Sequence, residues 1–445
     1  MASVFVYTSP ARGHLFPLVP TMLELRSRGH RVHVRTVSGD VARMESLGLS
    51  ASAMAPAIEA IELDDYKGSS PPAALERGLT VWLARARHEV EDVRASLAWS
   101  RADVALVDIN SWGACAAAEA SGLPFAIFAP YFLPLDIPGR PTFGLGLAPS
   151  SGVLARWRDS LLWSVTRLMT RKQLRGLDAL RAGLGLGAIG SLDRLTTRAH
   201  RVLAYTSEPF EYGHGGWPEN VRLVGPGLWE PPGADGRSET TSERPLVLVT
   251  CSTEFQDDGK LLGTALEALE GEDVDVVATT GAIDPAQFRA PTNARVVRFT
   301  AHGPLLRRAV AVVCHGGMGI TQKALAAGVP VCVVPWGRDQ NDVGRHVEVA
   351  RAGVVLPKGK LSVARMRAAI RETRARRDGA QTIASAFAAS GGARAAADVV
   401  EEIVAPSTAA VVPSLAVGPS LRADRAAFPK TFAKTFPGKT GASRD

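Results

Sequence analysis

The sequence predicts an α/β protein of two facing Rossmann-like domains, each a parallel sheet flanked by helices, and three observations carry that prediction. Short apolar, strand-like runs alternate with helical periodicities along most of the 445 residues, as a parallel sheet with crossover helices requires. Two such series are separated by a polar Pro/Gly/Ser-rich stretch at 225–245, GPGLWEPPGADGRSETTSERP. Each series opens with a strand that runs into a small-residue loop. A hydrophobic fraction of 46 % is ample for two cores in a chain of this length. The expected organisation is a first domain over 1–225, a linker over 226–245, a second domain over 246–404 and a tail over 405–445.

Taken in order, residues 4–8 form a strand and 9–14, SPARGH, a turn leading into an apolar-periodic helix over 16–27. A second strand begins after Gly29. This βαβ opening sets His14 where the carboxyl edge of the sheet meets the cleft, whereas His30 and His33 lie on the strand and read as structural. Residues 104–107 form a buried strand ending at Asp108, and 110–113 open an alanine-rich helix. Asp108 therefore shares the sheet edge with His14, either as a helix cap or as the carboxylate that orients the imidazole. Between 140 and 201, Trp157, Leu161, Leu162, Trp163, Val165 and Leu168 recur at helical spacing among arginines, which predicts a core or interdomain face.

The second series starts with a strand over 246–250, followed by Cys251-Ser252-Thr253, and a further strand over 295–299 runs into Thr300-Ala301-His302-Gly303-Pro304. Residues 310–314 are β-rich and stop at His315-Gly316-Gly317-Met318-Gly319, where glycines permit a tight turn and close backbone approach. A helix over 320–327, the stop Gly328-Val329-Pro330 and a strand over 331–334 follow. Free N–H groups at that helix start, with the helix dipole behind them, favour an anion beside His315. Neither GxGxxG nor GK[ST] is present here, so nicotinamide and ATP chemistry lack their signatures. A last helical pattern covers 384–404.

HGGMG followed by ALAAGVPVCVVPWGRDQ resembles the donor-site signature of the family 1 glycosyltransferases, in the bacterial natural-product branch whose acceptors are of macrolide or polyketide type. The resemblance spans roughly 2–404 and implies the GT-B fold, an acceptor-binding first domain, a nucleotide-sugar donor domain, and a last helix crossing back to the first. It implies that His315, Gly316, Gly317, Gly319 and Ile320 hold the diphosphate, with Ser252 and Thr253, and that Asp339 and Gln340 bind the sugar. Gly13-His14-Leu15-Phe16-Pro17 is similar to the family's GHxxP, whose His is the general base, and Asp108 matches its acidic partner. Phe299, Thr300 and His302 occupy the base-binding loop.

Two departures from the pattern bear on the donor. Ile320 stands where a Thr or Ser is usual, with Thr321 next to lend a hydroxyl, and Lys323 stands where UDP-sugar enzymes often carry a ribose-binding Glu. A thymidine donor lacks the 2′-hydroxyl, so Lys323 favours a dTDP-sugar over a UDP-sugar. Lys323 also reads as a simple solvent-facing lysine. The implied activity is inverting transfer of a sugar to a hydroxyl of a small lipophilic acceptor, with no cofactor beyond the nucleotide-sugar co-substrate and no metal.

Composition narrows the remaining classes. The tail over 405–445 has six Lys/Arg against two Asp/Glu, so it supplies +4 of the net +7 and the two-domain body is only mildly basic. With no basic patch interleaved with aromatics, nucleic-acid binding is not expected. The tail reads as disordered, though Phe428, Phe432 and Phe436 recur between lysines. Cys115, Cys251, Cys314 and Cys332 lack CxxC spacing and read as buried thiols, and the histidines form no metal-ligand cluster. No leader and no apolar run of spanning length is evident, so a cytoplasmic monomer or homodimer is expected. A nucleotide-sugar epimerase of the same fold, a UDP-sugar-dependent transferase and a non-catalytic nucleotide-sugar binding protein are the rival readings. The first would need no acceptor pocket, and the last no His14–Asp108 pair.

Overall fold

The computed structural model describes residues 1–149, 152–213, 215–231 and 243–404. In the first half the strands are β1 (Ser3–Tyr7), β2 (Arg31–Thr36), β3 (Ser50–Ala53), β4 (Val104–Asp108), β5 (Phe125–Ala129), β6 (Arg201–Ala204) and β7 (Val221–Leu223). They form one sheet in the order β3-β2-β1-β4-β5-β6-β7, and the pairs are parallel throughout. The second half holds β8 (Leu246–Thr250), β9 (Asp275–Thr279), β10 (Ala294–Val297), β11 (Ala309–Cys314), β12 (Val331–Val333) and β13 (Gly353–Val355). Their order is β10-β9-β8-β11-β12-β13, again all parallel.

Burial on both faces explains why the central strands are apolar without alternation. Every residue of β1, β4, β5 and β8 is buried, with helices above and below. In each sheet the strand order reverses between the first strand and its neighbour, β1 beside β4 and β8 beside β11. Ligands of open parallel sheets bind outside the carboxyl ends of strands at that reversal. His14 follows β1, Asp108 ends β4, Ser252 follows β8 and His315 follows β11, so all four residues leave the sheets at these two points.

The chain crosses between the halves at its end, but not in one helix as the periodicity over 384–404 predicts. Helices Arg377–Ala389 and Ala393–Val404 are separated at Gly391 and Gly392, whose φ angles of +90° and +56° are left-handed and end the first helix. The break lets the two segments serve different cores. Phe387 packs into the second half, while Ala396, Ala397, Val399 and Val400 pack with Val19 and Met22 of helix Arg12–Ser27 in the first. Arg28 adds ion pairs to Asp398 at 2.6 Å and Glu401 at 2.8 Å, and His30 Nε2 lies 2.8 Å from Glu401.

Further contacts lock one half against the other. Arg338 makes a two-point pair with Asp65, Nε to Oδ2 at 2.8 Å and Nη2 to Oδ1 at 2.9 Å. The Asp342 carboxylate accepts the Gly146 N–H at 2.7 Å and the Gly144 N–H, and Arg345 Nε donates to Gly146 O at 2.9 Å. The His346 ring lies between Phe132 and Tyr212, with centroids 3.7 and 3.6 Å away and planes 16° from parallel.

The stripe between 140 and 201 requires a correction. In helix Val153–Ala182 only Trp163 of the six residues is fully buried, and Leu162 is partly so. Trp157, Leu161, Val165 and Leu168 point to solvent, because the helix rests on helix Pro71–Ser100 through Leu174 and Leu177 instead. Most of the linker expected over 226–245 and the whole tail over 405–445 lie outside the described residues.

Candidate active site

The loop after β1 must carry His14 into a helix whose first turn has no side-chain cap, so its geometry is set from elsewhere. Asp108 does this. Fully buried at the end of β4, its carboxylate accepts hydrogen bonds from Ser9 N at 3.2 Å, Ser9 Oγ at 3.1 Å and Asn110 N at 2.8 Å. It also faces His14 Nδ1, at 2.9 Å from Oδ2 and 3.1 Å from Oδ1. Such a carboxylate favours the tautomer with the proton on Nδ1, leaving Nε2 as the acceptor toward the cleft. Burial works against the charged imidazole, but the charge and hydrogen bond of Asp108 outweigh it, helped by Glu254 and Asp339, and the pKa of His14 is raised.

Two neighbours of His14 escape motif reading. Asn110 Nδ2 lies 3.4 Å from His14 Nε2, and its Oδ1 accepts the Tyr131 hydroxyl at 2.6 Å. The Tyr131 ring stands edge-on to the imidazole, 5.7 Å between centroids. Only the proximity of Asn110 to Asp108 in sequence hints at this pair.

In the second half, β11 ends in the glycine turn. Gly316 has φ +93°, and a Cβ there would meet Val333 at 2.7 Å, so only glycine fits. A Cβ at Gly317 would stand 2.4 Å from His315 Nε2, so the lack of a side chain there lets the ring edge approach the turn. The helix begins at Met318, two residues before the sequence pattern predicts, and its first bond runs from Thr321 N to Gly317 O at 3.1 Å. The amides of Met318, Gly319 and Ile320 therefore have no helical acceptor. His315 is buried, and its Nδ1 has no hydrogen-bond partner, Asp258 Oδ2 being 3.9 Å away. Burial, with Arg338 nearby, lowers its pKa to about 4. An unpaired buried imidazole beside free amides fits an anion, whose charge would draw a proton to the ring.

The remaining donor-side residues divide into those that face the cleft and those the protein has already bonded. Ser252 is buried, its N–H on Asp258 at 2.7 Å and its Oγ accepting Gln256 Nε2 at 2.7 Å, while Thr253 beside it is exposed. Gln256 Oε1 in turn accepts Gln340 Nε2 at 2.6 Å, and Gln340 Oε1 takes the N–H groups of Trp336 at 2.7 Å and Gly337 at 3.1 Å. Gln340 is thus the brace of its own turn in this conformation. Asp339 has no such bond, caps no helix N–H with its side chain, and is held above the usual carboxylate range by burial. Its charge acts on His14. Thr321 has no accessible surface, and its hydroxyl lies 3.8 Å from Cys314 Sγ.

At the loop after β10, Phe299 is half exposed and Thr300 is buried. His302 Nε2 lies 3.2 Å from Thr279 Oγ1, and burial lowers its pKa to about 4, so it is neutral. The N–H groups of His302 and Gly303 donate to Glu230 at 3.0 and 2.9 Å. Lys323 Nζ donates to the same carboxylate at 3.2 Å, so it is a partly buried ion pair rather than a solvent-facing lysine. Glu230 lies in the expected linker, 93 positions from Lys323, and no local pattern announces it.

Comparison with known proteins bears on the family and the fold. Residues 264–405 match the family model of the erythromycin biosynthesis protein CIII-like C-terminal domain. Over 393 residues the chain is 35 % identical to 4′-demethylrebeccamycin synthase of Lentzea aerocolonigenes, an alignment covering 83 % of this chain and 91 % of that protein. The glycotransferase of kitacinnamycin superposes with a TM-score of 0.72 at 22 % identity, covering 90 % of this chain and 98 % of the other. Glycosyltransferase VinC in complex with dTDP gives 0.64 at 22 % identity, with 90 % and 99 % covered. At these identities the two structures speak for the GT-B fold, and the sequence relative carries the family. The chain belongs to the family 1 glycosyltransferases of natural-product pathways.

Proposed function

We propose that this glycosyltransferase moves a sugar, with inversion, from a nucleoside diphosphate donor to a hydroxyl of a lipophilic acceptor, and that it prefers a dTDP-sugar. The observation that carries this reading is the His14–Asp108 pair at one strand reversal, with the charge of Asp339 from the second half acting on His14. In this reading 1–225 binds the acceptor and 246–404 the donor. The acceptor O–H gives its proton to His14 Nε2 as the oxygen bonds to the anomeric carbon, and the bond from that carbon to the diphosphate oxygen breaks on the opposite face. Asp108 balances the imidazolium. His315 and the amides of Met318 to Ile320 receive the charge growing on the diphosphate, in place before the reaction begins. Thr253, with Ser252 behind it, would meet the same group, and Asp339 would accept hydrogen bonds from sugar hydroxyls.

Phe299 is placed to lie against a pyrimidine, with Thr300 and neutral His302 shaping the pocket edge. Lys323 supports dTDP because Glu230 holds its ammonium where a ribose-binding carboxylate would otherwise stand. The lipophilic acceptor is read from the natural-product glycosyltransferases that the chain resembles.

General-base catalysis contributes ~10²–10⁴-fold, so His14→Ala is expected to lose turnover by that factor while calorimetry still finds dTDP bound at near-parent affinity. Near-parent turnover would remove His14 from the mechanism. The base works only when neutral, and its pKa is raised, so kcat/KM should fall on the acid side from a pH above the ordinary histidine value. Asp108→Asn should move that limb to lower pH, because an amide does not stabilise the imidazolium. An unmoved limb would assign it to another group. In a thermal-shift series, dTDP should raise the melting temperature more than UDP at equal concentration. Ligand at 100 times its dissociation constant stabilises by about 2.7 kcal/mol, which is readable, and a larger shift with UDP would refute the Lys323 argument.

A further inference from the structure

Helix Val153–Ala182 buries one face and leaves the other bare. Trp163, Leu174 and Leu177 face inward, the last two beside Leu79 of helix Pro71–Ser100. Outward stand Leu154, Trp157, Leu161, Val165 and Leu168, between 43 and 87 % exposed. At ~100° per residue these five fall within one arc of less than a quarter turn, so they form a continuous ridge about four turns long. A ridge of large apolar side chains this bare marks an interaction surface.

The spacing of the ridge identifies what fits it. Counted from Leu161, the five residues lie at −7, −4, 0, +4 and +7, a pattern that reads the same in both directions. A two-fold contact requires that if residue i touches j, then j touches i. An antiparallel pairing about an axis at Leu161 meets that condition at every position. Leu154 meets Leu168 of the second copy, Trp157 meets Val165, and Leu161 meets itself.

Charge selects the same orientation. Arg171, Lys172 and Arg175 continue the outward face beyond Leu168, are exposed, and make no ion pair among the described residues. In a parallel pair these cations would stand against their own copies. In the antiparallel pair they lie on opposite sides of the axis, ~15–21 Å from it, so at least ~30 Å separates the two groups and salt at ~0.15 M screens them. We propose that this ridge is a homodimer surface, occupied by the same ridge of a second copy in antiparallel register. The inference is independent of the donor and acceptor assigned above.

Sedimentation velocity of the full chain from low to high micromolar concentration tests it. The parent should shift from monomer to dimer, and Leu161→Glu, which sets two carboxylates against each other on the axis, should weaken dimerisation at least about tenfold. Trp157→Lys and Val165→Glu should each do the same, and the double variant should regain the dimer, because each lysine then meets the glutamate of the other copy. All three positions are exposed, so far-UV circular dichroism and thermal midpoints should match the parent. A monomer at all concentrations, a dimer indifferent to Leu161→Glu, or a double variant no better than the singles overturns the proposal. Flotation of a monomeric protein with phosphatidylserine vesicles, abolished by Leu161→Glu, would overturn it in favour of a lipid surface.

Discussion

The buried carboxylate of Asp108 is the constraint on which the catalytic half depends. A charge with no solvent contact is tolerable only where donors surround it, and here Ser9, Asn110 and His14 supply them. Those donors come from the loop after β1 and the loop after β4, so satisfying one carboxylate fixes both loops at the strand reversal. The imidazole is then held by the charge that tunes it. Orientation, tautomer and raised basicity come from one side chain rather than from three arrangements.

A base fixed in one half is useful only if the other half is fixed opposite it. Arg338 with Asp65, Asp342 with Gly144 and Gly146, and the stacked His346 all cross the boundary, and all belong to the turn and helix that follow β12. Asp339 and Gln340 sit inside that segment. The contacts between the halves and the placement of Asp339 and Gln340 therefore rest on one segment. Arg338 adopts a φ of +54°, strained for a residue with a side chain, which the two-point pair with Asp65 offsets. The bonds from Gln340 to Trp336, Gly337 and Gln256 show how the turn is braced before any ligand arrives.

The parts legible in the sequence are those set by local chain geometry. Apolar runs and their breaks announce the strands, and the glycines after β11 announce a turn that Gly316, at φ +93°, can make and other residues cannot. His14 and Asp108 are legible because one follows the turn after β1 and the other ends β4, and topology then brings both to one edge. Pairings between distant segments leave no such trace. Arg338 and Asp65 are 273 positions apart, and Glu230 reaches Lys323 from a stretch that reads only as linker. Periodicity also gives the spacing of a helical stripe without saying which side faces inward, so the ridge at Leu161 reads as core until the resting place of its helix is known.

The central claim is that attack in this cleft is a single displacement, with His14 taking the proton and the diphosphate leaving from the opposite face. Its most direct test is nuclear magnetic resonance of the glycoside formed from an α-linked dTDP-sugar and a lipophilic hydroxyl acceptor. The account predicts a β-type linkage with release of dTDP in step with product. An α-linked product would contradict it, since a single displacement with the diphosphate leaving from the opposite face inverts the anomeric carbon.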